Sequence, residues 1–325
     1  MTIANDEASR EKPFLYIAVG VLRAADGRVL IAKRRPGKPG AGKWEFPGGK
    51  REPGEAVAEA LARELDEELG VHVRETRPLI RFAHDYSDRR VLLDIHLVES
   101  WGGVAYGREG QELAWSRPER LDEYDLLSAN TPVVAALRLP PRYLITPAPD
   151  DDTAGFMAAA ERALAGGLRL LRLRAWDLDD DAYEVLAREL QSLAAGHDAA
   201  LLLDRDAVMV KRVGAAGLHL TARALRSLAR RPLPAGFWVG ASCHGRADLE
   251  RAIGLGADFA TLSPVAATPS HPDAAPLGWE GFARAREGLA LPVYALGGVG
   301  PEECDAAWEA GAQGVAGIRS LWPGR

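Results

Sequence analysis

The chain has few of the residues that would cross-link it covalently or hold it in a membrane. Its 325 residues include only two cysteines, Cys243 and Cys304, so neither a disulfide framework nor a metal-finger spacing is available. No apolar run approaches the roughly 20 residues that span a bilayer. The N-terminus is polar and acidic, without the apolar stretch of a signal peptide. These absences predict a disordered leader over residues 1–12 and a protein of the reducing cytoplasm with no membrane partner.

Concentrated positive charge is also missing. The formal net charge is −6, and no block of consecutive basic residues occurs. A protein that binds duplex nucleic acid presents a concentrated basic surface. The charge pattern therefore excludes duplex nucleic acid as a partner. Small phosphorylated ligands stay compatible with it, because they require a local site and not a charged surface.

The length favours two domains, although one barrel-sized domain is an alternative. The Pro-rich segment Leu139-Pro140-Pro141 is a natural boundary between them. After this boundary the pattern changes from mixed strands and loops to short apolar runs separated by helical stretches. The chain is therefore expected to divide into residues 13–139 and residues 140–325.

The most informative segment runs from Gly49 to Gly70 and reads G-K-R-E-P-G-E-A-V-A-E-A-L-A-R-E-L-D-E-E-L-G. Apolar residues recur at every fourth position from Val57, which predicts an amphipathic helix capped by Gly70. Three carboxylates, those of Glu64, Glu67 and Glu68, share one face of that helix. A solvated acidic face is the commoner outcome for such a helix. The alternative is a hard divalent cation that bridges these carboxylates to phosphate oxygens.

The whole string, G-x₅-E-x₇-R-E-L-x-E-E-x-G, resembles the Nudix signature at every fixed position. Four further stretches (A-V-G-V-L, W-E-F-P-G-G-K, G-R-E-G-Q and S-A-N-T-P-V) resemble the MutT branch of the Nudix hydrolases, the 8-oxo-dGTP diphosphatases. The resemblance covers residues 14–139 and implies an α/β/α sandwich with a mixed sheet. It also implies Mg²⁺ as the cofactor, with Mn²⁺ as an alternative. The implied metal ligands are the Gly48 carbonyl and the side chains of Glu64, Glu67, Glu68 and Glu109.

Residues on either side of the signature predict a nucleotide site. Lys33 and Arg34 follow a predicted strand; they would lie on a solvated edge or hold phosphate oxygens, for which arginine has a planar fork of donors. Asn130 precedes a short helix, where such a residue most often acts as a cap. The resemblance implies instead that Asn130 reads the edge of the damaged guanine and that Arg34 touches base or phosphate. It also implies that Tyr86 stacks on the base, and Phe46 completes the expected substrate-binding set.

The expected reaction is hydrolysis of 8-oxo-dGTP and related nucleoside triphosphates to the monophosphate and pyrophosphate, as in nucleotide-pool sanitation and DNA repair. The catalytic residues would be the glutamates of the metal site, with Glu67 or Glu109 orienting or deprotonating the attacking water. Glu55 and Arg63 are expected to hold the signature loop against the helix.

The second half contains eight short β-prone runs separated by Ala/Leu/Arg-rich helical stretches. This alternation predicts a compact (β/α)₈ barrel, with a doubly wound sheet as the alternative. The runs are Tyr143–Ile145, Leu168–Leu173, Ala200–Leu203, Leu218–Leu220, Phe237–Gly240, Phe259–Leu262, Val293–Ala295 and Gly314–Ile318.

This half resembles the thiamine phosphate synthase and TenI (thiazole tautomerase) family over nearly its full length. The resemblance rests on R-Y-L-I-T-P, L-R-L-R-A, L-L-L-D-R, A-A-G-L-H-L, S-C-H, A-T-P-S-H-P-D-A-A-P-L-G and A-L-G-G-V. It implies a site at the carboxyl ends of the strands. The expected residues are Arg174, Asp204, Ser242 and His244, together with Gly297 and Gly298 as a phosphate cradle.

Several positions depart from the synthase pattern. Trp176 and Leu203 replace a basic residue and an asparagine, the acidic residues after Leu220 are missing, and His271 replaces a lysine. These departures argue against a magnesium-pyrophosphate site. We therefore expect a barrel that is degenerate or tautomerase-like, in which His244 would act as the acid and base, and which binds a thiamine-related phosphate as a possible partner. The barrel could equally serve as a ligand sensor.

The alternative for the whole chain is a Nudix hydrolase of thiamine-precursor diphosphates joined to a thiamine-related tautomerase or phosphate synthase. The fusion itself motivates that alternative.

Overall fold

The computed structural model describes residues 13–150, 152–268 and 275–324. The predicted leader, residues 1–12, and His271 lie outside the described residues. The chain divides into two units, of which the first ends at Ala129 and the second begins at Asn130. The second unit also takes in Pro78–Ile80. The boundary predicted at residues 139 and 140 lies later in the chain than this division.

Over its described residues, the first unit contains seven strands and one long helix. A four-stranded mixed sheet has the order β4-β1-β6-β5, and a three-stranded sheet has the order β3-β2-β7. The strands are β1 (Phe14–Leu22), β2 (Val29–Lys33), β3 (Trp44–Glu45), β4 (Gly48–Lys50), β5 (His72–Asp85), β6 (Arg90–Gly102) and β7 (Leu113–Ser116). In the larger sheet β1 runs parallel to β6 and antiparallel to β4, which confirms the predicted mixed sheet.

Helix α1 (Val57–Leu69) packs on this sheet through its apolar stripe. Leu61, Leu65 and Leu69 are fully buried, and Gly70 ends the helix in the left-handed conformation with φ of +68°. Glycine is needed where Leu65 crosses β1, because a Cβ at Gly20 would lie 2.6 Å from a Leu65 methyl group. The neighbouring face of α1 carries the three glutamates and meets β4, where the Gly48 amide donates to Glu68.

The second unit contains a closed barrel of eight parallel strands, which confirms the predicted (β/α)₈ fold and excludes the doubly wound sheet. The barrel has the order β10-β11-β12-β13-β14-β15-β8-β9 and closes because β9 also pairs with β10. Its strands are β8 (Arg142–Ile145), β9 (Leu170–Arg172), β10 (Ala200–Leu203), β11 (Gly217–Leu220), β12 (Trp238–Cys243), β13 (Phe259–Leu262), β14 (Val293–Leu296) and β15 (Gly314–Gly317).

Eight helices of the described residues belong to this unit. They are α2 (Thr131–Arg138), α3 (Thr153–Ala165), α4 (Asp180–Gly196), α5 (Ala207–Val213), α6 (Ala222–Ser227), α7 (Arg246–Leu255), α8 (Gly278–Arg286) and α9 (Cys304–Glu309). Four of them begin with side-chain caps, from Asp152, Asp179, Asp206 and Thr221. Within the described ranges no helix is long and apolar enough to cross a membrane.

The barrel has two layers of core. The outer layer lies between the strands and the helices and is mainly aliphatic, with many leucines and alanines. The inner layer fills the barrel with aromatic rings, among which Tyr143, Phe259 and Tyr294 contact one another at centroid distances of 5.5–5.7 Å. The barrel is therefore a packed core, and ligand sites belong to its rim.

Candidate active sites on an acidic helix and a barrel rim

The two-glycine turn that precedes the signature lies directly against the acidic face of α1. The Gly48 amide donates to Glu68 Oε2 at 3.2 Å. A Cβ at Gly49 would overlap the Glu64 carboxylate, and a Cβ at Gly48 would overlap the Ala18 carbonyl oxygen. Glycine is therefore required at Gly48, where a Cβ would meet backbone, whereas a Cβ at Gly49 would displace the Glu64 side chain. The edge of β4 and the acidic face of α1 thus form a narrow surface lined with oxygen atoms.

Burial and like charge make ionised carboxylates unfavourable on this surface. Burial, assisted by the negative charges of Glu45 and Glu64, raises the pKa of Glu68 to about 7. Burial also raises the pKa of Glu45, and the Arg34 guanidinium only partly offsets that rise. Added positive charge would relieve both effects. Glu45 is a residue that sequence reasoning missed, and its only signal was a place between two site residues in W-E-F-P-G-G.

Arg63 is the main cation of the signature. It donates to both carboxylate oxygens of Glu55 at 2.9 and 3.0 Å, to Glu64 at 2.8 Å and to the Lys50 carbonyl at 3.0 Å. Its contact with Glu67 is longer, 3.7 Å. These bonds raise the pKa of Arg63 and lower that of Glu55. Arg63 thus joins the loop before α1 to the acidic face.

Glu109 lies in a loop that is fastened to the end of α1. The Arg108 amide and the Gln111 side chain both donate to the Glu68 carbonyl, at 3.0 and 2.9 Å. The Glu109 carboxylate, however, pairs with Arg35 at 2.6 Å and Lys38 at 3.5 Å. The structure therefore does not bring it together with the carboxylates of α1. Among the described residues, no three acidic, histidine or cysteine side chains converge as a ready metal site.

The donor set nevertheless fits a hard divalent cation. Every predicted ligand is an oxygen, as Mg²⁺ and Mn²⁺ prefer. The carboxylates of Glu64 and Glu109 already pair with arginine side chains, those of Arg63 and Arg35. The raised pKa of Glu68 shows that its negative charge is not compensated by a nearby cation. The groups that would hold the ion are the Gly48 carbonyl, Glu64, Glu67 and Glu68, after Arg63 gives up part of its contacts with Glu64 and Glu67.

The predicted nucleotide-binding residues occupy varied environments. Arg34 pairs with Glu45 and donates to the Pro39 carbonyl at 2.7 Å. Lys33 pairs with Glu112 at 3.0 Å. Phe46 is only 3% exposed, so its ring belongs to the core.

Tyr86 is half-buried and lies among charged and aromatic groups. Its ring meets that of His84 edge to face at 4.6 Å, and the Arg89 guanidinium lies 5.4 Å from its centroid. Burial raises the pKa of the Tyr86 hydroxyl, while the charges of Arg34 and Arg89 oppose that rise. This tyrosine therefore shares an electrostatic neighbourhood with Arg34 and Glu45.

Asn130 occupies the N-cap position of α2, but its side chain does not cap the helix. Pro132 lies in the first turn of the helix, where its missing N–H leaves one donor fewer to satisfy. The Asn130 side chain is buried, and its Nδ2 group has no hydrogen-bond partner. A buried amide without a partner costs about 1–3 kcal/mol, so this group requires an explanation.

The barrel places its predicted residues at or near the carboxyl ends of the strands. Asp204 is buried, accepts from the Tyr183 hydroxyl at 3.0 Å and lies 3.6 Å from Arg172. The Arg174 guanidinium lies 4.0 Å from the centroid of the exposed Trp176 ring. Burial lowers the pKa of Arg174, and the charge of Arg172 adds to the effect. Arg172 was missed in the sequence, although a charged residue on the inward face of a strand was a usable signal.

Ser242 ends a buried hydrogen-bonded chain. Its hydroxyl lies 3.0 Å from Nε2 of His219, whose Nδ1 lies 2.9 Å from the Tyr143 hydroxyl. Burial lowers the pKa of His219 well below its ordinary value, so the ring is neutral. His219 was missed as a site residue. His244 does not take part in this series of hydrogen bonds; its Nδ1 lies 3.1 Å from the Ser263 carbonyl oxygen.

A cavity of about 260 Å³ opens beside the two predicted cradle glycines. Gly297 and Gly298 adopt φ values of +94° and +69°, which favour glycine. A Cβ at Gly298 would lie 2.6 Å from the Ala267 carbonyl oxygen. Arg319 and Ser320 line the same cavity and supply polar groups suited to an anion.

Comparison with known proteins gives two separate matches. The model of the NUDIX domain family matches residues 18–136, and that of the thiamine monophosphate synthase family matches residues 142–321. The 8-oxo-dGTP diphosphatase of Escherichia coli is 38% identical over 124 residues, which are 38% of this chain and 96% of that protein. The thiamine-phosphate synthase of Chromobacterium violaceum is 38% identical over 194 residues, 57% of this chain and 91% of that protein. The synthase of Thioalkalivibrio sulfidiphilus is 35% identical over 187 residues, 57% of this chain and 89% of that protein.

These matches correct one prediction. The barrel was expected to be degenerate or tautomerase-like, because several positions depart from the synthase pattern. A degenerate barrel is wrong, since the barrel closes with eight strands and the thiamine monophosphate synthase family model covers nearly its whole length. The departures at single positions leave the pattern of the complete domain intact.

Proposed function

The chain belongs to the NUDIX family through its first unit and to the thiamine monophosphate synthase family through its barrel, and on that premise we propose that it hydrolyses 8-oxo-dGTP. Hydrolysis of a phosphorus anhydride in a nucleotide is the coarser activity that the first match supports. The preference for oxidised guanine is the more specific claim, and the observation that supports it is the unpartnered side-chain amide of Asn130.

An asparagine amide is complementary to one edge of 8-oxoguanine. The oxidised base carries a hydrogen on N7 beside its O6 acceptor, whereas guanine presents two acceptors there. The Asn130 Nδ2 group can donate to O6 in both bases. Its Oδ1 can accept only from the N7–H of the oxidised base and meets a lone pair in guanine. A site with this amide therefore discriminates by gaining one bond and avoiding one repulsion.

Each residue on the acidic face of α1 has its own role in the proposed reaction. Glu64, Glu67, Glu68 and the Gly48 carbonyl would hold Mg²⁺, which when bound neutralises phosphate charge and makes water more acidic. Glu67, the most exposed of the three carboxylates at 60%, orients a water molecule and accepts its proton. The water oxygen forms a bond to phosphorus as the anhydride bond between the α- and β-phosphates breaks. Arg34 and Lys33 hold the phosphate oxygens, and pyrophosphate and the monophosphate are released.

A substrate panel on the full chain tests this proposal. We expect kcat/KM with Mg²⁺ to be highest for 8-oxo-dGTP, lower for dGTP, and lowest for thiamine-type diphosphates. The alternative function, hydrolysis of thiamine-precursor diphosphates, would reverse this order. A preference for those diphosphates would replace the nucleotide assignment and leave the family intact.

For the barrel, we propose a thiamine-related phosphate as ligand, with its phosphate in the cavity beside Gly297 and Gly298. The favourable observation is the left-handed backbone of both glycines next to Arg319 and Ser320. Formation of thiamine phosphate from the pyrimidine diphosphate and thiazole phosphate tests synthase activity directly. Thermal stabilisation by thiazole phosphate without turnover would instead indicate a sensor, since a ligand at 100 times its Kd adds about 2.7 kcal/mol.

A further inference from the structure

Two arginines lie at the carboxyl end of β9. Leu170 of this strand belongs to the inner core, so Arg172 points to the same inward side of the barrel. Arg174 follows just beyond the strand, where its backbone amide donates to the Thr146 hydroxyl at 3.0 Å. Arg172 is only 4% exposed, and Arg174 is half-buried. The end of β9 therefore carries two positive charges that are partly or wholly removed from water.

Arg172 has one edge of its guanidinium group unpaired. Its Nε and Nη2 atoms are buried and have no hydrogen-bond partner. These two nitrogens share the edge of the planar group that can hold two oxygens of one carboxylate or phosphate. The Asp204 carboxylate does not fill this edge, because its Oδ2 lies 3.6 Å from Nη2, too far for a hydrogen bond. A buried charged donor without a partner is costly, so the edge is suited to an oxyanion that the described residues do not supply.

Asp204 is already surrounded by donors and cations. Its side chain is fully buried, and its Oδ1 accepts from the Tyr183 hydroxyl at 3.0 Å and lies 3.8 Å from Arg205. Arg205 is itself held by two backbone carbonyls at 2.8 and 3.0 Å and by the exposed Asp180 at 3.3 Å. The contacts of Arg205 are therefore structural, and they leave Arg172 as the buried arginine with free donors in this group.

Mg²⁺ does not fit this group of residues. It requires several oxygen ligands whose lone pairs are free, whereas arginines face both oxygens of Asp204. The four residues after Leu220 are T-A-R-A and add no carboxylate. The charges of Arg172 and Asp204 both act on Arg174. Within this described group one buried carboxylate faces two guanidinium groups at the end of β9, so the excess charge is positive and an anion would balance it.

We propose that the guanidinium group of Arg172 takes the place of a metal ion in the barrel, and that with Arg174 it holds a diphosphate without Mg²⁺. This inference rests on the proposed function of the barrel, in which the ligand is a thiamine-related phosphate. The cavity beside Gly297 and Gly298 follows β14, and β15 and β8 separate β14 from β9 in the barrel order. The arginine site is therefore distinct from that cavity, and it takes the diphosphate of the pyrimidine substrate.

The test is calorimetric titration of the full chain with inorganic pyrophosphate in EDTA. EDTA removes the divalent cations that the acidic face of α1 would need, so the binding that remains belongs to a metal-free site. Arg172→Met and Arg174→Met each replace a guanidinium group by an unbranched apolar side chain. Arg223→Met is the matched control, since Arg223 is exposed in the first turn of α6, which follows β11, and its loss changes the net charge equally.

Wild type should bind pyrophosphate in EDTA. Arg172→Met and Arg174→Met should each weaken this binding by about ten- to a hundredfold, the worth of hydrogen bonds to a charged group. Arg223→Met should bind as wild type does, and so should Gly298→Ala, which alters the other cavity. If Arg172→Met does not fold, Arg174→Met carries the same test.

Binding that requires Mg²⁺ would overturn the inference, and so would binding in EDTA that all three arginine variants change equally. Thermal stabilisation of wild type by thiazole phosphate, measured alongside, separates this inference from the proposed function of the barrel. Stabilisation by thiazole phosphate without pyrophosphate binding in EDTA defeats the metal-free site alone. Pyrophosphate binding in EDTA without that stabilisation defeats the proposed ligand of the glycine cavity and supports the arginine site.

Discussion

The raised pKa of Glu68 makes the free energy of unfolding depend on pH, and this dependence can be measured without substrate. Burial is its main cause, and the charges of Glu45 and Glu64 add to it, so the carboxyl titrates near pH 7 and not near its ordinary value of 4.5. Between these two values the folded chain keeps a proton that the unfolded chain has released. The free energy of unfolding therefore falls as pH rises from about 4.5 to about 7, and the loss is complete above about 7.

The magnitude follows from the same shift. Each pKa unit corresponds to about 1.36 kcal/mol, so the loss is at most about 3 kcal/mol and smaller where water reaches the carboxyl. Glutamine resembles the protonated carboxyl in shape and lacks its charge. Glu68→Gln should therefore match wild type in stability at pH 5. At pH 8 without divalent cations it should be more stable than wild type, by up to about 3 kcal/mol.

The assay is chemical unfolding of both proteins from pH 5 to pH 8, in EDTA and in excess Mg²⁺. Bound Mg²⁺ supplies the missing positive charge, so it should stabilise wild type more at pH 8 than at pH 5 and stabilise Glu68→Gln little. Glu189→Gln, at an exposed position of α4, is the control and should follow wild type throughout. The reasoning is refuted if wild type and Glu68→Gln differ by the same amount at both pH values in EDTA.

Three further measurements test other parts of the account. Glu68→Gln should lower nucleotide hydrolysis on the order of a thousandfold or more, and near-normal turnover would remove it from the site. Gly49→Ala should lower turnover because its Cβ displaces the Glu64 carboxylate, and unchanged kinetics would show that this contact is dispensable. Gly298→Ala should abolish thermal stabilisation by thiazole phosphate, whereas Gly254→Ala, with nothing within 4 Å of its Cβ, should keep it; equal binding by both would refute the cradle.

Local patterns were sufficient for much of the fold. The four-residue apolar period of α1 and the eight β-prone runs of the barrel both reappear in the structure, because each pattern reports one buried face. The short strands β3, β4 and β7 were not predicted, since two to four residues carry too little periodicity. The start of strand β5 at His72 has no clear pattern in the sequence either, because the first half of the strand is polar and only partly buried.

In the candidate sites, the sequence could predict only the arrangements that follow from the spacing of residues along one helix. The shared face of Glu64, Glu67 and Glu68 follows from helical spacing. The pairing of Glu109 with Arg35 does not, because these residues are separated by 74 positions. The buried pairing of His219 with Tyr143 and Ser242 depends on which strands become neighbours. Nor could the sequence show that Asn130 leaves its helix uncapped, since its backbone is helical, with φ of −84° and ψ of −9°, and not extended as in a capping residue.

The central claim, that Asn130 selects oxidised guanine, is tested most directly by one ratio. Steady-state kcat/KM for 8-oxo-dGTP over dGTP should be measured in wild type and Asn130→Ala under the same Mg²⁺ concentration. Loss of the amide removes one favourable bond and one repulsion, so the ratio should fall by about ten- to a hundredfold, mainly through slower use of 8-oxo-dGTP. A ratio that is the same in both proteins would contradict the account.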